Sequence, residues 1–93
     1  MNNGIEGKVI LITGGNTGIG AEVARLLALR GAKVAIAARR QSKTESVVAD
    51  ITETGSFARG YQLDVTDKHQ FAAVVCEVGK DFGRLDVIIN NAG

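Results

Sequence analysis

TGGNTGIG, residues 13–20, carries four glycines in eight positions between an apolar run and an amphipathic stretch. The run before it, KVILIT (residues 8–13), is short, β-branched and stopped by glycine, which reads as a buried strand. After it the spacing turns helical: Ile19, Val23, Leu26 and Leu27 share a face, with Glu22, Arg25 and Arg30 outside it. Glycines at a strand-to-helix junction let backbone N–H groups approach an anion closely. The helix N-terminus adds unpaired donors and partial positive charge. Gly14 suits the tight turn, Gly18 keeps a Cβ out of the way of a pyrophosphate, and Gly20 lets the helix pack closely on the sheet. Gly15 is a further small residue, and Asn16 and Thr17 offer side-chain donors. An ordinary glycine turn fits the same letters in isolation; the strand before and the helix after are what favour a phosphate site. No Lys-Ser or Lys-Thr follows the glycines, which excludes a Walker loop.

Outward from this junction the pattern repeats. Gly31 ends the first helix and KVAIAA (residues 33–38) forms a second strand. A weaker helix over residues 42–54 carries Val47, Val48 and Ile51 and closes at Gly55. A third strand spans residues 58–65, ARGYQLDV, with some alternation. The clearest helix follows, with Phe71, Val74, Val75, Val78 and Phe82 on one stripe, and Asp67 and Gln70 as a capping box. Gly79 inside it costs about 1 kcal/mol of propensity relative to alanine. Gly83 closes it, and LDVIIN (residues 85–90) is the fourth strand. The order βαβαβαβ predicts an α/β fold with a parallel sheet ordered 3-2-1-4 and right-handed crossovers. In that layout the first two helices cover one face and the third lies alone on the other. The strands are apolar at successive positions, as strands covered on both faces are. Three helices cannot cover them, and the fourth strand is left as an apolar open edge.

The bulk numbers bound the function classes. Ninety-three residues make one domain, with 45% hydrophobic and 23% charged residues, a globular composition. Eleven basic against ten acidic residues leave a net charge of +1, with no bulk attraction to nucleic acid or to an anionic membrane. There are no repeats, no low-complexity segments and no prolines. A single cysteine excludes an internal disulfide and a multi-cysteine metal site; among Val74, Val75 and Val78, Cys76 is expected in the core rather than as a reactive thiol. The start lacks the pattern of a secretory signal and no apolar run approaches the ~20 residues of a membrane span, so the expected compartment is the cytoplasm.

Further candidates lie at the strand ends. The second strand runs into AARRQ. A carboxylate here would accept from a ribose 2′-OH and repel a 2′-phosphate. Arg39 and Arg40, with Ala38 in place of an acid, favour the 2′-phosphate instead, Arg39 more strongly because it comes first. A solvated basic turn is the plainer alternative. Asp64 in LDVTD is positioned to accept from an adenine amino group, with Val65 packing on the ring and its N–H free; an acid serving the helix start fits Asp64 as well. NNAG (residues 90–93) ends the fourth strand beside the first. Asn90 is expected to tie neighbouring strand ends, and Asn91 with Ala92 and Gly93 to lie against a cofactor ribose. His69 is expected exposed in a helix's first turn, Asp86 hydrogen-bonded to backbone where the fourth strand begins, and Tyr61, with no lysine four residues on, in packing.

With TGGNTGIG, LDVTD and NNAG in this order, the chain resembles the short-chain dehydrogenase/reductase family from about residue 8 to residue 93. The resemblance implies a single-domain Rossmann fold and hydride transfer between NAD(P)(H) and a carbonyl or alcohol. It implies a phosphate loop of Gly14, Asn16, Thr17, Gly18, Ile19 and Gly20, adenine contacts at Asp64 and Val65, and a ribose contact at Asn91. Many NADP-preferring members carry a basic residue where this chain has Thr17, so an NADP preference over NAD rests on Arg39, Arg40 and Ala38. Members are much longer than this chain, and the Ser, Tyr and Lys they use for proton transfer have no counterparts in it. Residues 1–93 are therefore expected to be the N-terminal dinucleotide-binding portion, without the catalytic portion and inactive by themselves. Two alternatives stand beside this: half of a two-chain enzyme completed by a C-terminal portion, and a non-enzymatic half-Rossmann module that forms a homodimer through its fourth-strand edge.

Overall fold

The computed structural model describes residues 4–14 and 18–91. Seven elements alternate in chain order: β1 (Val9–Thr13), α1 (Gly18–Leu29), β2 (Lys33–Ala38), α2 (Gln41–Glu53), β3 (Ala58–Gln62), α3 (Lys68–Phe82) and β4 (Val87–Asn90). They build a four-stranded sheet in the order β3-β2-β1-β4, with every neighbouring pair parallel. This is the Rossmann-like arrangement that the apolar runs and glycine stops imply.

Side chains alternate across a strand, so the two central strands feed two cores. Ile10, Ile12, Val34 and Ile36 face α1 and α2, where they meet Ala21, Ala24, Ala28, Val47 and Ile51. Val9, Leu11, Ala35 and Ala37 face the other way and pack with Tyr61, Leu63, Val74 and Val78 from β3, its following loop and α3. All of β1 is buried. That is why its sequence is a continuous apolar run instead of an alternating one.

The structure corrects four local expectations. In α1 the buried residues are Gly20, Ala21, Ala24 and Ala28, while Val23 and Leu27 are only partly packed. Ile19 is 76% and Leu26 53% exposed, so the inner face is the small-residue face and not the large apolar one. Small residues bring the helix close to a sheet whose isoleucines and valines already fill the interlayer space. Cys76 is exposed rather than buried. It sits two positions, about 200° of helix, from both Val74 and Val78, which face the sheet. The third strand ends at Gln62 and not Val65, although Leu63 is fully buried and its N–H donates to the Ala38 carbonyl at 2.9 Å. The fourth strand begins at Val87 rather than Leu85, which packs on the α3 side of the core.

Other expectations hold at atomic detail. Asp67 caps α3, its side chain accepting from the N–H groups of His69 and Gln70, and Gly83 closes the helix in the left-handed conformation at φ +83°. His69 is exposed in the first turn. Asp86 Oδ2 accepts from Val9 N–H at 2.8 Å and its Oδ1 from Arg84 at 2.7 Å, joining the starts of β4 and β1. Tyr61 is 9% exposed and donates its hydroxyl to Asp81 at 2.7 Å; burial, then that bond, push its phenol well above its usual range. β4 pairs with β1 alone, and Val87 and Ile88 are each 44% exposed. None of the described helices is long and apolar enough to cross a membrane.

Candidate functional site

Parallel strands deliver their C-terminal ends to one edge of the sheet, and the candidate residues gather there. β1 ends at Thr13, which is fully buried. Its hydroxyl donates to Asn90 Oδ1 at 2.9 Å, with the Ile89 carbonyl at 3.5 Å, so Asn90 ties β4 to β1 as expected. Gly14 extends the ladder by one bond, donating to the Ala37 carbonyl at 2.8 Å. It then turns away at φ +71°, a conformation that costs a glycine little and a β-carbon much. Gly15, Asn16 and Thr17 lie outside the described residues, as do Ala92 and Gly93.

The chain returns at Gly18, the first residue of α1, at φ +54°. A Cβ built on Gly18 meets nothing within 4 Å. Among the described residues Gly18 thus has no neighbour that a side chain would strike, and it stands at the N-terminus of α1. The first N–H groups of an α-helix have no partner within the helix, and they carry the positive end of its dipole. Ile19 turns its side chain to solvent and leaves its backbone at this terminus; Gly20 is buried against the sheet.

Asn91 stands across from the turn. Its N–H donates to the Thr13 carbonyl at 3.1 Å and its side-chain amide reaches the Gly14 carbonyl at 3.4 Å. Its side chain thus braces the glycine turn directly, where the sequence had pointed only to a ribose contact.

At the β2 and β3 ends, a cleft of about 390 Å³ is lined by Arg39, Gln62, Leu63, Asp64 and Gln70. The structure brings Arg39 and Asp64 together here. Arg40 does not line the cleft: it is the N-cap residue of α2, and its carbonyl accepts from the Thr44 N–H at 3.2 Å and hydroxyl at 3.1 Å. Val65 is 41% exposed and is not a lining residue. None of the described residues accepts its N–H. Asp64 Oδ1 accepts from the Thr66 hydroxyl at 2.6 Å and the Thr66 N–H at 3.0 Å, and these bonds hold its carboxyl below the usual range, with Arg39 adding to the effect. Asp64 is thus an ionised acceptor beside a fixed cation.

Two contributors escaped the sequence reading. Thr13 joins the strand ends beneath the glycine turn. The spacing makes Gln70 half of a capping box, but its side chain does not reach the Asp67 N–H, which donates instead to the Asp64 carbonyl at 3.0 Å. Gln70 Oε1 accepts the N–H of Asp64 at 2.9 Å. No signal in the sequence separates the two, because one residue type serves both bonds.

Residues 8–93 match the family described as short chain dehydrogenase. An uncharacterized oxidoreductase of Mycobacterium tuberculosis is 40% identical over 96 residues, which covers 100% of this chain and 28% of that protein. Among solved structures, NAD⁺-bound xylitol dehydrogenase matches with a TM-score of 0.93 and 36% identity, over 98% of this chain and 35% of that one. A metagenomic short-chain oxidoreductase in complex with NADP matches with a TM-score of 0.90 and 37% identity, over 96% of this chain and 40% of that one. The chain thus spans between 28% and 40% of the length of these three relatives.

Proposed function

Because the chain belongs to the short chain dehydrogenase family, we propose that residues 1–93 form the NADP(H)-binding part of an oxidoreductase that moves hydride between a nicotinamide and a carbonyl or alcohol. The observation that carries this reading is the alignment, along one sheet edge, of the turn at Gly14 and the N-terminus of α1 at Gly18 with a cleft lined by Arg39 and Asp64. The glycine turn and the α1 N-terminus suit the pyrophosphate, with the backbone of Gly14, Gly18, Ile19 and Gly20 and the side chains of Asn16 and Thr17 as its holders. The cofactor, when bound, supplies the hydride chemistry; the residues of this chain bind and orient its adenosine half. Arg39 takes the 2′-phosphate, with Arg40 on the following turn as a second cation. Asp64 accepts from the adenine amino group through the oxygen that Thr66 does not hold, Val65 offers its N–H to the ring, and Asn91 steadies the turn beside the ribose.

The preference for NADP over NAD rests on the arginine at the cleft and on Ala38 at the strand end. Among the described residues of this crevice no acid–base pair with a tuned proton donor stands, which favours a part that binds cofactor without turning substrate over by itself. Titration of the protein with NADP⁺ and with NAD⁺ tests the reading. NADP⁺ binds more tightly, and Arg39→Ala weakens it about tenfold or more while NAD⁺ changes little. Equal affinities unaffected by Arg39→Ala would overturn the NADP assignment, and binding of neither would overturn the site. A second reading, a module that pairs with its own copy, draws on one observation: the exposed Val87 and Ile88 on the outer strand β4.

A further inference from the structure

Gln70 stands apart from the residues with assigned roles. It opens α3, yet its side chain reaches past the helix cap to the end of β3, where Oε1 accepts the Asp64 N–H at 2.9 Å. Its own N–H is held by Asp67 Oδ1 at 3.1 Å, and Asp67 N–H in turn donates to the Asp64 carbonyl at 3.0 Å. The Asp64 side chain is fixed from the other direction by Thr66, through the hydroxyl at 2.6 Å and the N–H at 3.0 Å. Asp64 is therefore held at its N–H, its carbonyl and one carboxylate oxygen, and the first two of these holds come from the α3 cap. The remaining oxygen is left for a donor, in a cleft that Gln70 itself lines.

We propose that Gln70 is a positioning residue for base recognition: by gripping the Asp64 N–H it aims the free carboxylate oxygen, so that the cleft takes an amino-bearing purine and rejects an oxo purine. This rests on the dinucleotide-binding reading above. An ionised carboxylate only accepts hydrogen bonds. It matches the exocyclic amino group of adenine and faces the carbonyl oxygen of hypoxanthine with two acceptors and no proton between them. Discrimination of this kind depends on where the oxygen sits, and loosening the loop spends it before it spends overall affinity.

The test is the ratio of dissociation constants for NADP⁺ and for its analogue with hypoxanthine in place of adenine. The unchanged protein prefers NADP⁺. In Gln70→Leu, which keeps the bulk and loses the acceptor, the ratio falls about three- to tenfold, the worth of one hydrogen bond. Gln70→Glu keeps an acceptor of the same reach and keeps the ratio. A role confined to helix stability would lower the melting temperature and leave the ratio alone, and that result overturns the proposal. Amide exchange in the unchanged protein gives a check that needs no variant: the Asp64 N–H is protected, and fast exchange there overturns the proposal. Failure to bind NADP⁺ at all overturns the dinucleotide reading together with this one, whereas binding with an unchanged ratio in Gln70→Leu overturns the positioning role alone.

Discussion

Two glycines with opposite surroundings give a sharp contrast at the residue scale. A Cβ on Gly60 in β3 would come 2.8 Å from Thr44 Cγ2 and 3.4 Å from Val48 Cγ2. Thr44 is buried and its hydroxyl is tied to the Arg40 carbonyl, so its methyl has little freedom to withdraw. Gly60→Ala is expected to cost about 1–3 kcal/mol through overpacking between α2 and β3. Gly79 lies inside α3 with nothing within 4 Å of its missing Cβ. Gly79→Ala is expected to add about 0.5–1 kcal/mol by helix propensity and to raise the melting temperature by several degrees. Thermal unfolding of the pair checks both signs at once. Asp86 supplies a third test. Its carboxyl is held low by the Arg84 guanidinium first and the Val9 N–H second. A depressed carboxylate contributes stability above its unfolded value near 3.9, and that contribution is lost as pH falls through the lower folded value. Asp86→Asn keeps an oxygen for Val9 and removes the charge. Its melting temperature is therefore lower than that of the unchanged protein at neutral pH, and the gap closes below about pH 4.

The scale of elements explains what the sequence made legible and what it hid. Strand order followed from apolar runs stopped by glycine and from connections long enough only for crossovers. Helix phase was a different matter. In α3 the buried stripe is valine with phenylalanine at its margins, so periodicity points at the sheet. In α1 the buried stripe is alanine and glycine, which weigh little in any hydrophobic pattern, and the eye goes to Ile19 and Leu26 on the wrong side. The site divided in the same way. The tight turn at Gly14 could be read from the letters, because a positive φ leaves few residue types available. Side-chain choices among several nearby partners, such as Gln70 gripping Asp64 instead of Asp67, are decided by loop geometry that no spacing encodes. The α1 correction is itself testable. Ala24, fully buried, does not tolerate Leu, and Ala24→Leu is expected to cost about 1–3 kcal/mol. Leu26→Gln, on the exposed side, stays within about 0.5 kcal/mol. Denaturant melts that reverse this order would restore the large apolar face as the inner one.

At the scale of the whole molecule the two sheet edges are unlike. β3 carries Arg59 and is flanked by Asp81, an ion pair at 3.9 Å. Charge of this kind discourages pairing with another strand. β4 carries Val87, Ile88 and Ile89 with no charge among them, and its outer side has no partner among the described residues. An apolar strand with a free row of backbone donors and acceptors is a template for a second strand, and across a two-fold axis a second copy of β4 would extend the sheet without a break. The expected behaviour of the 93-residue protein is therefore concentration-dependent association, with sedimentation equilibrium giving masses above 9.7 kDa at tens of micromolar. Ile88→Lys introduces charge on that strand where Ile88 stands in register with Leu11 of β1, and it returns the mass to the monomer while the far-ultraviolet circular dichroism stays the same. A mass of 9.7 kDa at every concentration would mean that twist and side-chain cover protect β4 without a partner, and the pairing reading would fall. Association that survives Ile88→Lys would move the interface to the outer face of α1, where Ile19, Leu26 and Leu29 are exposed.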